Sequence, residues 1–301
     1  MKRPVAVCSA MAAMIAMIAL AVRSAGANPI RANTPGTGVF QRSGVLAGVV
    51  VDDKSRGGTE LLELSSFAEL RYTPATHWVL GLRVPYQVES RLELPGMAAQ
   101  TASGPGDVLV SVKHRFYRWV GPWADRHAAV EVGLKLPTGA TDRPVDPRLP
   151  VTLRHRLQPG TGSTDGLIDF VYQQARRRWV LAADAGYRFN SEGEGRFRRG
   201  DEARLNLSAQ YILFPRVYTQ PGHEVFAVME ATVTDAGADR LRGAALPGTD
   251  RTALLLAPGL QYFATERLFL DLSLQLPVWE EVGRSELRSR WNTLFQVRYA
   301  F

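Results

Sequence analysis

The sequence predicts an all-β fold, an antiparallel transmembrane β-barrel of about 12 strands with periplasmic termini, short periplasmic turns and longer outer loops. Three observations lead there. From Arg290 to Phe301 the chain alternates without a break, with Trp291, Thr293, Phe295, Val297, Tyr299 and Phe301 on one strand face and Asn292, Gln296 and Arg298 on the other. Successive strand side chains point to opposite faces, so one face can meet lipid while the other stays wet. The same pattern recurs along the chain, which separates it from the single edge strand of a soluble sandwich. Finally, no apolar stretch after Val22 approaches the roughly 20 residues of a membrane helix, so the rest of the chain can cross a bilayer only as a closed sheet.

Residues 1–27 read as a signal peptide: Lys2 and Arg3 form a charged start, Val5 to Val22 is apolar, and Ala25-Gly26-Ala27 offers a small-residue cleavage site. Residues 28–41 are then expected as a periplasmic N-terminal segment without a plug domain, and residues 42–301 as the barrel. The one cysteine, Cys8, falls inside the leader, which excludes a disulfide framework or thiolate metal cluster from the expected mature chain. The formal charge of +7 falls to +4 once Lys2, Arg3 and Arg23 are removed. A mildly basic chain without an aromatic-interleaved Lys/Arg stripe does not point to nucleic acid.

The strands follow in order. The first, near Arg42 to Asp53, has the weakest pattern. The second, Thr59 to Thr73, sets Leu62, Leu64, Leu70 and Tyr72 against Glu63, Phe67, Glu69 and Arg71. The third, His77 to Leu94, turns Trp78, Leu80, Leu82, Val84, Tyr86 and Val88 outward, and its Pro85 predicts a bulge or the membrane boundary. In the fourth, Asp107 to Trp119, Val108, Val110, Val112 and Phe116 oppose Ser111, Lys113, Arg115 and Tyr117. The fifth and sixth run over Ala128 to Leu136 and Asp165 to Gln174, the latter blurred by Leu167 and Val171. The seventh (Trp179 to Phe189) and eighth (Asp201 to Leu213) alternate cleanly, whereas the ninth (Glu224 to Asp235) and tenth (Arg251 to Ala264) are apolar on both faces. The eleventh, Leu268 to Val278, places six aliphatic residues against Asp271, Ser273 and Gln275, and Arg290 to Phe301 is the last.

Connections alternate short and long, which puts both termini on the short-turn, periplasmic side. Trp78, Trp119, Trp179, Tyr211, Trp279 and Trp291 lie near strand ends, as interfacial girdles require. The longest excursion, Thr138 to Gly162, carries Arg143, Arg148, Arg154, His155 and Arg156. It is expected as a solvated outer loop, with an inward constriction as the other outcome.

The bore should be lined by Arg71, Arg83, Lys113, Arg115, Glu131, Lys135, Asp184, Arg188, Arg204, Asp271 and Arg298, with Glu69 beside them. About twelve strands imply a narrow or partly plugged lumen, between the side-chain-filled bore of roughly 8 strands and the open channel of roughly 16. Either acids and bases pair across it and fill it, or the cationic excess lines a path for small anionic solutes.

Several strand-end segments carry a resemblance. Gly104-Pro105-Gly106-Asp107, Lys135-Leu136-Pro137-Thr138-Gly139, Leu157-Gln158-Pro159-Gly160-Thr161-Gly162-Ser163, Gly200-Asp201, Ala257-Pro258-Gly259-Leu260 and Leu274-Gln275-Leu276-Pro277 resemble the outer-membrane transporters grouped with the phenol meta-cleavage degradation pathway. The resemblance runs from Gly104 to the C-terminus and implies a barrel with a role in solute passage, including aromatic compounds. Gly and Pro at strand ends also serve as turn chemistry for a barrel rim.

The functional expectation is an outer-membrane channel or transporter-like pore for small solutes, aromatic or anionic, in a bacterial outer membrane. Lipid, a small-molecule solute and, during assembly, the barrel-insertion machinery are its expected partners. The alternatives are a lipid-modifying enzyme and a non-conducting structural barrel. Enzymology needs a nucleophile beside a base, and of the five histidines only His155, with Ser163 nearby in sequence, is a candidate beyond His114. The expectation is therefore not an enzyme. Dispersed histidines and acidic loops without calcium-site spacing suggest no metal, and no cofactor motif is present.

Overall fold

A computed structural model describes residues 29–33, 42–122, 124–216 and 223–301. The expected signal peptide lies outside the described residues. Sixteen strands follow in chain order: β1 (Gly44–Arg56), β2 (Thr59–Ala75), β3 (Trp78–Glu93), β4 (Gln100–Pro105), β5 (Leu109–Val120), β6 (Asp125–Lys135), β7 (Asp165–Arg176), β8 (Trp179–Phe189), β9 (Phe197–Arg198), β10 (Glu202–Phe214), β11 (Glu224–Ala236), β12 (Arg240–Leu241), β13 (Ala244–Ala245), β14 (Arg251–Phe263), β15 (Leu268–Val282) and β16 (Arg288–Ala300). A short helix, α1 (Val151–Leu157), lies between β6 and β7.

Twelve of these strands pair antiparallel with their neighbours, and β1 pairs with β16 from Gly44↔Ala300 onward, which closes the barrel. Closure leaves no edge whose N–H and C=O groups would face hydrocarbon. The twelve correspond one for one to the strands expected from the alternation. The connections at 76–77, 121–124, 177–178, 215–223 and 264–267 share the end at which β1 begins and β16 ends. Those at 94–108, 136–164, 190–201 and 237–250 share the other, the long-loop end, with the shorter turns 57–58 and 283–287, and there β9, β12 and β13 form a small separate sheet.

Side-chain exposure reports the two faces of the wall. All six residues expected outward on β3, Trp78 to Val88, are exposed, as are Leu272, Leu274, Leu276 and Val278 on β15. Tyr117 is a correction. It was expected inward, but the register slips between Arg115 and Tyr117, and Tyr117 is 41% exposed beside Phe116. A bulge inserts one residue and shifts the alternation beyond it. Pro85 sits where β3 changes partner, with Arg83 opposite Leu109 of β5 and Tyr86 opposite Pro105 of β4. A residue without an N–H is tolerated at that gap in the ladder, and its carbonyl accepts from the Gly106 N–H at 2.9 Å. Trp78, Trp119, Trp179 and Tyr211 ring the short-turn end, the tilted rings of Trp179 and Tyr211 centred 4.8 Å apart, while Trp279 and Trp291 lie toward the other rim.

The inner face is layered. Near the short turns Leu46, Phe67, Val180, Ile212, Phe226, Val228, Phe263 and Leu294 point inward and pack together. Above this apolar floor comes a charged middle layer.

Two further expectations change. Residues 29–33, expected as part of a periplasmic segment, lie inside the bore: Ile30 packs into the apolar floor, and Arg31 and Asn33 bond to the wall. Gly259 makes room, since a Cβ there would stand 2.8 Å from the Ile30 methyl. The Thr138 to Gly162 loop, expected to be solvated, folds inward over the long-loop end. Leu149, Leu153 and Leu157 pack on Leu61 and Leu92 of β2 and β3 and on Leu287, beyond β15. Apolar burial on that scale draws the loop across the mouth.

Candidate functional site: a cationic chamber in the bore

Between the two closures lies a cavity of about 410 Å³. Seven cationic side chains line it (Arg31, Arg71, Arg83, Lys113, Arg188, Arg204 and Arg298) against three acidic ones (Glu69, Glu131 and Asp169). Each strand contributes through its inward register. Arg71, Glu69 and Phe67 are alternate residues of β2, and Lys113 stands opposite Glu131 across the β5–β6 ladder. Apolar groups, including Leu46, Val50, Phe67 and Leu167, line the same space.

Most of the charges are paired. Lys113 Nζ lies 3.0 Å from Glu131, Arg71 Nε 2.5 Å from Glu69, and Arg298 Nε 2.9 Å from Asp271. Arg204 reaches Asp169 at 3.1 Å and Asp184 at 3.4 Å. Asp184 also accepts from Asn206 at 2.8 Å, and Asp271 from Gln261 and Gln296 at 2.6 and 2.9 Å. Buried charges persist when paired and hydrogen-bonded in this way.

Of the residues expected to line the pore, Arg71, Arg83, Lys113, Glu131, Arg188, Arg204 and Arg298 meet on the cavity. Asp184 and Asp271 point inward but sit behind their arginines, each about 1% exposed. Two residues stand elsewhere. Arg115 is anchored at the short-turn end, donating to the Thr76 carbonyl at 2.6 Å and contacting His127 Nδ1 at 3.3 Å. Lys135 belongs to the long-loop rim, 2.5 Å from Asp165 and 3.3 Å from Asp107.

That rim gathers three of the segments that carry the family resemblance, 104–107, 135–139 and 157–163, whereas 257–260 and 274–277 lie within β14 and β15. Asp107 accepts from Gly139 N at 2.9 Å, Thr161 N at 2.8 Å and Thr161 Oγ1 at 2.7 Å. Burial pushes the Asp107 carboxyl up, but the Thr161 and Gly139 hydrogen bonds outweigh it and hold the group below its ordinary value. Gly139 and Gly160 touch through their backbones, since a Cβ on Gly139 would come within 2.6 Å of the Gly160 Cα. These three segments thus root the loop that bears α1. They do not line the chamber.

The inward loop was the less favoured of the two outcomes read from the sequence, and the entry of residues 29–33 into the bore was not expected. At mid-height in the bore Glu230 accepts from the backbone N–H groups of Arg31 and Ala32, each at 3.1 Å. The Arg31 guanidinium donates to Ser273 Oγ at 2.8 Å, Asn292 Oδ1 at 2.7 Å and the Asn292 carbonyl at 3.1 Å. Asn33 donates to Asp184 at 2.9 Å through its backbone and to Glu131 at 2.7 Å through its amide, and accepts from Lys113. A lone Glu in the apolar run Val-Phe-Ala-Val-Met-Glu was the available signal. At the long-loop end Arg156 of α1 pairs with Glu286, which is 2% exposed. His155 stacks on Phe197 at 4.2 Å and 10°, while the Ser163 hydroxyl bonds to Lys135 at 3.0 Å and Thr161 at 2.8 Å. His155 and Ser163 are therefore engaged separately and form no nucleophile–base pair.

The fold is shared with solved membrane barrels. An outer membrane channel from Pseudomonas putida F1 superposes with a TM-score of 0.67 at 16% identity, covering 91% of this chain and all (100%) of the channel. The β domain of the Bordetella autotransporter Brka gives 0.52 at 12% identity, covering 87% of this chain and 100% of that domain. No curated protein matches the sequence. Residues 33–287, which take in Asn33 and eleven of the twelve barrel strands, match the model of the family described as "Putative MetA-pathway of phenol degradation", and this chain belongs to that family.

Proposed function

We propose that this protein is a channel or transporter-like pore of the bacterial outer membrane, with periplasmic termini, that passes small solutes, anionic and aromatic ones among them. One observation carries the reading: inside an apolar-walled barrel lies a cavity of about 410 Å³ with seven cationic and three acidic side chains on its surface. A volume within the roughly 300–1,000 Å³ typical of small-ligand pockets suits a solute rather than a polymer. The likeness to an outer membrane channel and the family's phenol-degradation description support the same reading. The exposed aliphatic belt would meet lipid, and the terminal strand ending in Phe301 would address the insertion machinery. The separate engagement of His155 and Ser163 favours a non-enzymatic barrel.

The N-terminal segment occupies the bore and the α1 loop lies across the long-loop mouth, so a solute passes more freely when either one moves. The test is liposome permeation and planar-bilayer conductance of the refolded barrel, beside an Arg31→Ala/Asn33→Ala variant. The variant should pass small solutes faster than the parent. Folded, inserted protein that passes nothing in either form would overturn the channel reading in favour of a structural barrel.

A further inference from the structure

The cations around the chamber are not equivalent. Lys113, Arg71, Arg204 and Arg298 each have a carboxylate within 3.1 Å, and Arg31 spends its guanidinium on Ser273 and Asn292. Arg83 and Arg188 differ. The nearest carboxylate to Arg83, that of Glu69, stands 3.8 Å away and is already held by Arg71. The Arg83 side chain is 41% exposed, and its guanidinium lies 3.8 Å from the centre of the Phe67 ring. Arg188 makes no ion pair within 4.0 Å among the described residues and is exposed to the bore.

We infer that Arg83 and Arg188 form a binding site for a small organic carboxylate with an apolar, ring-sized body. The two residues stand on β3 and β8, well separated around the barrel wall, and line one cavity within electrostatic reach of each other. Two guanidinium groups with unspent donors and no acid of their own raise the local concentration of anions, and the planar fork of each matches a carboxylate bidentately. Phe67, Val50, Leu46 and Leu167 on the same surface accept the apolar body, with the Arg83–Phe67 stack marking the boundary between the two halves. An inorganic anion would satisfy the arginines but leave the apolar lining wet. The inference rests on the channel reading for how a ligand arrives, not for how it is held.

The test is calorimetric binding of benzoate to the refolded barrel in detergent, with benzamide as the neutral isostere and chloride as competitor. Benzoate should bind saturably, more than tenfold tighter than benzamide. Arg188→Gln and Arg83→Gln should each weaken benzoate at least tenfold, with unchanged circular dichroism and heat-modifiable gel mobility. Equal binding of benzoate and benzamide, benzoate binding indifferent to both substitutions, or displacement by chloride at equal concentration would overturn the site. Benzoate permeation measured in parallel separates the two readings. Flux without saturable binding removes the site and keeps the channel, and binding without flux, even in the Arg31→Ala/Asn33→Ala variant, does the reverse.

Discussion

Within the bore a few residues of irregular chain, 29–33, are held by mid-strand carboxylates and amides of the wall, whereas the long-loop end is covered by a loop and its helix held by three leucines and the Arg156–Glu286 ion pair. Leu149, Leu153 and Leu157 are 2%, 7% and 0% exposed, and returning each to water would cost about 1.5–3 kcal/mol. The hydrogen bonds of Arg31, Ala32 and Asn33 to Glu230, Ser273, Asn292, Asp184 and Glu131 can be exchanged for water once the bore is wet. Each such exchange costs only about 0.5–1.5 kcal/mol, or about 1.5–3 where a charge takes part. The segment is thus held chiefly by polar contacts that water can replace one at a time, with Ile30 alone in the apolar floor, and the helix chiefly by apolar contacts that water cannot replace.

The sharpest way to break this contrast is Arg156→Ala. It leaves Glu286 buried without its cation, a loss of about 3–5 kcal/mol. We expect a lower urea midpoint, and faster thiol labelling of a reporter placed by Leu153→Cys, with no change in labelling at Asn33→Cys. Leu157→Ala should act in the same direction by about 2–5 kcal/mol, through a cavity at a fully buried position, and thermal unfolding reads it. Glu230→Gln tests the other closure. Loss of the charge-assisted acceptor should cost about 1–3 kcal/mol, raise labelling at Asn33→Cys and leave the Leu153→Cys reporter untouched. Equal responses at both reporters would show that the closures act as one unit.

The smallest effect is that of pH on the helix. Burial first, then the nearby Arg154 and Arg199 charges, lower the His155 pKa below its ordinary 6.5. The stability this contributes is present above 6.5 and is lost as pH falls through the lowered value. Burial first raises the Glu286 pKa above 4.5, with Arg156 opposing. Its contribution has the opposite sign, present below 4.5 and lost as pH rises through the raised value. Labelling of the Leu153→Cys reporter should therefore quicken on acidification below 6.5, and His155→Gln should abolish that acid-side rise, exposing the reverse slope from Glu286. A parent profile that is flat across this range would show that the stack does not hold the helix.

Alternation made the wall legible. Leu80 and Leu82, or Leu272 and Leu274, had to face lipid because their strands place Arg83 and Asp271 on the other side. It failed locally where the bulge after Arg115 turned Tyr117 outward, an event that a two-residue period cannot announce. The loop helix was less visible. Pro137, Pro144, Pro147, Pro150 and Pro159 punctuate its surroundings, yet Leu149, Leu153 and Leu157 recur every four residues, the spacing of one helical face. Arg115 and Lys135 were given the correct face but not the correct height, since face follows from parity and height follows from how far each strand slides past the next.

By itself the sequence determined a closed barrel of about twelve strands, their two faces and the mixed charge of the bore, because hydrocarbon permits only a closed ladder with an apolar exterior. Only the tertiary structure decided which charges are neutralised and whether the bore is open. Those outcomes depend on partners far apart in the chain, such as Arg31 with Glu230 at a separation of 199 residues and Arg156 with Glu286 at 130. Parity specifies that a side chain faces inward, but the ion it meets there is set by barrel closure and shear.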